Sequence, residues 1–157
     1  MQSRYQLKEW SVHRENLVKQ FHRGMGQPIS VVMTDLPLFE LRWNLIKEEM
    51  QELNEELASG AVDIMRGKPP ENMLEIFKEL ADLQYVISGF AVTYGIDLDG
   101  LIKDIHQSNM SKLEDGKPVK REDGKVLKGK NYKPPQLDRF IHRMWDKVNS
   151  SIERGGE

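Results

Sequence analysis

Two short acidic runs carry the residues best suited to chemistry: Glu48-Glu49-Met50-Gln51-Glu52 and Glu79-Leu80-Ala81-Asp82. On a helix, acidic residues three apart present their carboxylates one turn apart on one face. Glu79 and Asp82 lie about 60° apart by that arithmetic. Carboxylates gathered in a helical core repel one another, and loss of water opposes their ionised forms. A positive partner must compensate. The chain has no cysteine, which excludes thiolate metal sites. His13, His22, His106 and His142 show no ligand spacing. Oxygen donors alone select a hard cation, magnesium with manganese as a substitute. The competing reading is a solvated acidic helix face, the ordinary fate of a charge run.

A second constellation lies further along. Leu98, Leu101 and Ile105 form the inward stripe of a predicted helix, and that stripe continues to Asn109 and Lys112. An amide and an ammonium suit phosphate or sugar oxygens; a lysine at a helix C-terminus also simply favours the helix dipole. His106, one turn from Asn109, is a candidate substrate contact. The segment from Lys117 to Lys133 is rich in lysine, with Lys125 and Lys128 at its centre and glycines at 116, 124 and 129. It reads either as a loop folding over polyphosphate or as a solvated loop. The Gly-x-x-x-x-Gly-Lys-Ser/Thr pattern of a phosphate-binding loop is missing.

These residues need helices to position them. Apolar spacing predicts a first helix over residues 4–23, with Leu7, Trp10, Leu17, Val18 and Phe21 on one side. A second is expected from Leu38 to Ser59, ended by Gly60. Its inward stripe, Leu38, Leu41 and Leu45, runs on to Glu49, Glu52 and Glu56, so the apolar face turns acidic halfway along. A third helix is expected from Glu71 to Tyr94, apolar nearly all round in its second half and closed by Gly95. Asp97 should cap a fourth, reaching about Lys112. Residues 113–135 contain Glu-Asp-Gly-Lys twice, which predicts a loop or hairpin. A C-terminal helix should fill 136–152.

The fold expected is an all-α helical bundle forming one domain over residues 1–157. A net charge of −2 argues against a nucleic-acid partner. Leu80 to Ile96 is too short and polar for a membrane span. The absence of an apolar leader pattern and of cysteine points to the cytoplasm. A short chain with this much apolar helix surface should assemble as a homodimer or homotetramer.

The acidic spacing, Glu48-Glu49-x-x-Glu52 with Glu79-x-x-Asp82, resembles that of MazG-type all-α nucleotide pyrophosphohydrolases, relatives of phosphoribosyl-ATP pyrophosphohydrolase and the dimeric dUTPases. Phe21-His22-x-x-x-Gly26, Tyr94-Gly95-Ile96-Asp97, the run from His106 to Leu113 and the run from Gly124 to Tyr132 extend the resemblance over residues 15–136. It implies a helical bundle, two or three magnesium ions, and hydrolysis of a nucleoside triphosphate to a monophosphate and pyrophosphate. It implies metal ligation by Glu49, Glu52, Glu79 and Asp82, and an extra acid at Glu48 that orients water or binds another metal. It implies substrate contacts at Asn109 and Lys112 and a phosphate-side loop from Lys125 to Tyr132. Base and sugar stay open: dGTP stands slightly ahead by analogy with enzymes of nucleotide-pool control. dUTP and phosphoribosyl-ATP are alternatives within the superfamily, and a non-catalytic helical interaction module is the alternative of another class.

Overall fold

The computed structural model describes residues 14–154, apart from the side chains of Arg143, Lys147 and residues 151–154. The expected start of the first helix at residues 4–13, with Leu7, Trp10 and His13, lies outside the described residues. The chain is all-α: α1 (Arg14–Gly24), α2 (Leu36–Met65), α3 (Met73–Tyr94), α4 (Leu98–Met110) and α5 (Asp138–Arg154), with strands β1 (Leu113–Glu114) and β2 (Lys117–Pro118) between the last two helices. It divides between Gly95 and Ile96 into two compact units. No single helix among the described residues is long and apolar enough to cross a membrane.

In the first unit, α2 and α1 both pack on α3. Asp35 caps α2 by accepting from the Leu38 amide at 3.2 Å, with Pro37 in the first turn. The helix does not stop at Gly60. It runs on to Met65 and ends before Gly67, whose φ of 74° suits glycine. Gly60 serves a close crossing instead: a Cβ there would stand 3.1 Å from Asn72 Oδ1, Ile76 Cδ1 and Pro70 Cβ. At the other end of α2, the Phe39 ring meets Phe90 edge-on at 5.8 Å. The start of α3 therefore lies by the end of α2, and the two run antiparallel. The second half of α3 is the core, with Ser88, Gly89 and residues 91–94 buried. Gly95, in the left-handed region at φ 63°, ends it. After α1, the chain docks on α3 through Ser30 N–H to Val92 O at 3.0 Å and Val31 N–H to Thr93 O at 2.9 Å.

The inward face of α2 is rotated from the expected one. Leu41 is 48% exposed, while Arg42 is buried at 6%. The inward positions are Arg42, Ile46, Glu49, Leu53, Glu56 and Gly60, spaced by three or four as a helix requires. Glu52 falls on the exposed side of that face.

In the second unit, Asp97 caps α4 by accepting from the Gly100 amide at 2.9 Å. The strands β1 and β2 pair antiparallel, Leu113 with Pro118 and Glu114 with Lys117. Asp115 and Gly116 turn between them with φ of 50° and 75°, the geometry an Asp-Gly hairpin turn requires. The repeated motif makes a second turn around Gly124, with Lys120 bridged to Val126. Arg139 Nη2, at the start of α5, donates to both Asp104 oxygens on α4, at 2.7 and 2.8 Å. Phe140 is buried, whereas Ile141 and Trp145 are exposed.

Candidate metal and phosphate site

Antiparallel packing of α2 on α3 brings the two acidic runs together. Glu49, Glu79 and Asp82 each place one carboxylate oxygen within 4.8 Å of the others. Glu79 is 7% exposed, and its Oε2 is buried with no hydrogen-bond partner. Burial raises the Glu49 carboxyl above its ordinary value, and Asp82, Glu52 and Glu79 add to the rise. Glu52 is raised first by the charge of Glu79, and loss of water adds to the rise. Glu48 is exposed on the neighbouring side of α2 and adds its charge near Glu52.

A solvated acidic face shows none of these features. The cluster holds oxygen donors of one sign, one of them buried and unpartnered, in space for a small cation. These residues fit a hard divalent ion. Sequence reasoning missed the cation already present. Lys78 Nζ lies 2.8 Å from Glu79 Oε1 and 2.8 Å from Asp82 Oδ2. Hydrogen bonds to Asp82 and Glu79 hold that ammonium above the usual lysine range. Its place four residues before Asp82 was the available signal, since a residue and its i+4 partner share a helix face.

The same seam contains a second feature hidden from periodicity. Arg42, two turns before Glu49, gives one hydrogen bond, from Nη2 to Gln27 Oε1 at 3.0 Å, while its Nε is buried without a partner. Burial lowers the guanidinium below its ordinary value. His22, 1% exposed, has its Nδ1 2.9 Å from Pro28 O, which places the proton on that nitrogen. Tyr94 is equally buried, and its hydroxyl is unpartnered. Burial lifts that phenol while the Arg42 charge opposes the rise.

The expected substrate-side residues belong to the second unit. Lys112 Nζ donates to Asn109 Oδ1 at 2.6 Å, so these two form a pair at the end of α4. His106 is exposed. Lys125 is exposed, and the Lys128 ammonium sits 4.6 Å over the Tyr132 ring. The two serines around Asn109 have a structural task. Ser108 Oγ donates to Lys133 O at 2.8 Å, and Ser111 Oγ accepts from Lys133 N–H at 2.8 Å. They clamp the end of the lysine-rich segment to α4.

A family model described as phosphoribosyl-ATP pyrophosphohydrolase matches residues 18–109, more than half of the chain. The match includes all five acidic residues of the two runs, with His106 and Asn109. Lys112, Lys125, Lys128 and Tyr132 lie beyond it. No curated protein matches the chain.

Proposed function

From the premise that the chain belongs to the phosphoribosyl-ATP pyrophosphohydrolase family, we propose that it is a magnesium-dependent nucleoside triphosphate pyrophosphohydrolase, releasing a monophosphate and pyrophosphate. Family membership supports pyrophosphohydrolase chemistry. The observation that carries the metal reading is the convergence of Glu49, Glu79 and Asp82 on one point, with a buried orphan oxygen among them.

In this reading Glu49, Glu52, Glu79 and Asp82 hold two or three magnesium ions, and manganese can substitute. A bound cation of this kind neutralises phosphate oxygens and makes an attacking water more acidic. Glu48 orients the water and accepts its proton. The water oxygen bonds to the α-phosphorus as the α–β anhydride bond breaks, and the electron pair leaves on pyrophosphate. Lys78, which now pairs with Glu79 and Asp82, would give up these carboxylates to a divalent cation and could then face phosphate. Asn109, Lys112 and His106 bind sugar or phosphate oxygens, and Lys125, Lys128 and Tyr132 form a phosphate-side loop. The substrate preference is a deoxynucleoside triphosphate, dGTP ahead of dUTP and dCTP. The enzyme works in the cytoplasm as a homodimer or homotetramer. Supporting assembly, Leu74, Phe77 and Leu80 on α3 and Trp43 on α2 are all at least half exposed.

The family match favours a second reading with the same chemistry, in which phosphoribosyl-ATP is the substrate. One experiment separates them: pyrophosphate release with magnesium across dGTP, dUTP, dCTP, ATP and phosphoribosyl-ATP. Turnover of a triphosphate well above phosphoribosyl-ATP is expected. The reverse order selects the second reading, and no release from any of the five would discard both.

A further inference from the structure

We propose that Arg42 is the receptor for the terminal phosphate of the substrate, completing a site whose other end is the acidic cluster. The inference rests on the pyrophosphohydrolase reading and extends it to a residue outside the acidic motifs.

A buried guanidinium ordinarily has a carboxylate beside it, because an unpaired charge away from water is costly. Arg42 has none. Among the described residues its hydrogen-bonded neighbour is the neutral Gln27, and its Nε has no partner. Four of the groups around it are uncharged or neutralise nothing: Gln27, the Gly89 backbone, the Tyr94 phenol, and His22 with its Nδ1 turned to Pro28 O. Gly89 keeps α3 open beside it; a Cβ there would lie 3.7 Å from His22 Nε2 and 4.0 Å from Arg42 Nη1. An anion is the missing component.

Position says which anion. Arg42 and Glu49 occupy the same inward face of α2, two turns or roughly 10 Å apart along the axis. Gly89 stands two turns beyond Asp82 on α3, which runs antiparallel, so both lie along one seam. The guanidinium lies level with Gly89, about 10 Å along the seam from Asp82, and an extended polyphosphate gripped at the acidic cluster covers most of that distance. The guanidinium fork matches a phosphate's paired oxygens. A nucleobase is neutral and would leave the buried charge uncompensated, so the phosphate end of the substrate is assigned here.

The test uses inorganic pyrophosphate as probe and the full chain. Magnesium binding is measured first by calorimetry, on wild type, Arg42→Met and Arg42→Lys; all three should bind it alike. Pyrophosphate is then titrated at saturating magnesium. Arg42→Met should bind it roughly 10- to 100-fold more weakly, the loss expected for a charge-assisted contact, and Arg42→Lys should fall between. In the metal-free protein, Arg42→Met should melt no lower than wild type, because it removes an unpaired buried charge. Pyrophosphate affinity within twofold of wild type in either variant would overturn the assignment. If Arg42→Met does not fold, Arg42→Lys decides. If wild type binds no magnesium, the metal reading fails on its own, and Arg42 is judged by whether pyrophosphate raises the wild-type melting temperature and not that of the variants; no rise in wild type overturns it.

Discussion

The α2–α3 seam and the lysine-rich segment from Lys117 to Lys133 are both strongly charged, yet they handle charge in opposite ways. In the segment, the charged side chains are exposed to water and the contacts that shape the loop are local. Arg121 pairs with Asp123, Lys128 covers Tyr132, and Glu114 accepts the Lys130 amide at 2.7 Å. In the seam, carboxylates converge with the exposed Lys78 ammonium against them, Glu79 keeps a buried oxygen without a partner, and Arg42 is buried with no anion beside it among the described residues. Unpaired charge in water costs little; unmatched charge in a packed interior stays costly until a ligand arrives.

The largest effect that could break this contrast is at the seam. Glu49→Gln or Asp82→Asn should lower pyrophosphate release by on the order of a thousandfold, equivalent to several kcal/mol of lost transition-state stabilisation. Glu49→Gln should leave the metal-free fold intact or more stable, because it relieves repulsion; Asp82→Asn also gives up the Lys78 ion pair, so its metal-free stability should change little. Magnesium should also raise the wild-type melting temperature more than the variant's. Wild-type turnover in both variants would end the contrast. Next is Lys112→Ala, which removes the partner of Asn109. A lost charge-assisted phosphate contact costs about 1.5–3 kcal/mol in kcat/KM. Early melting with normal activity in the folded fraction would make Lys112 structural.

Lys78→Met tests the internal cation. Magnesium should bind roughly threefold more tightly once its competitor is gone, the limit set by solvent screening of an exposed lysine. The metal-free variant should melt lower than wild type, since the carboxylates lose their counter-charge. Unchanged magnesium affinity, by calorimetry, would show that Lys78 does not compete.

Acidity sharpens the contrast further. Glu49 and Glu52 are raised from 4.5, so the folded state binds protons more tightly than the unfolded chain. Their repulsion is absent well below 4.5 and grows as pH rises through the raised folded values, so stability falls in that window. In chelator, wild type should lose melting temperature as pH rises above about 4.5 relative to Glu49→Gln. Asp123 is held below its ordinary 3.8, chiefly by Arg121, so its small contribution is present above that value and fades as pH falls. Asp123→Asn should therefore change melting at neutral pH by no more than about a degree.

Much of this arrangement was legible because helices and tight turns have short-range causes. Gly95 ends α3, Asp97 caps α4, and Asp115-Gly116 turns the hairpin through interactions a few residues long. The acidic seam was legible where helical period places Glu49 and Glu56 in line with Leu45, while Glu52, expected on the same stripe, faces outward. What escaped was decided by distant partners. Nothing in the helical pattern singles out Arg42, and only packing against Gln27 and Gly89 turns it inward while Leu41 turns out. Gly60 reads as a stop signal, and only Asn72, Ile76 and Pro70 make it a contact. Ser108 and Ser111 read as part of a substrate motif, and only the Lys133 backbone shows their clamp.

Gly60 also decides which kinds of genetic change the chain can absorb. Its crossing against Asn72, Ile76 and Pro70 acts as a datum from which every position on α2 is measured. One residue inserted between Glu52 and Gly60 would turn Glu49 by about 100° relative to that datum and carry it out of the seam, although no ligand had been substituted. The same insertion between Gly67 and Pro70, where the chain is turn rather than helix, leaves α2 and its angular settings untouched. Length variation in descendants of this chain should therefore collect at 67–70 and be purged from 53–59, a pattern of insertions and deletions rather than of residue identities.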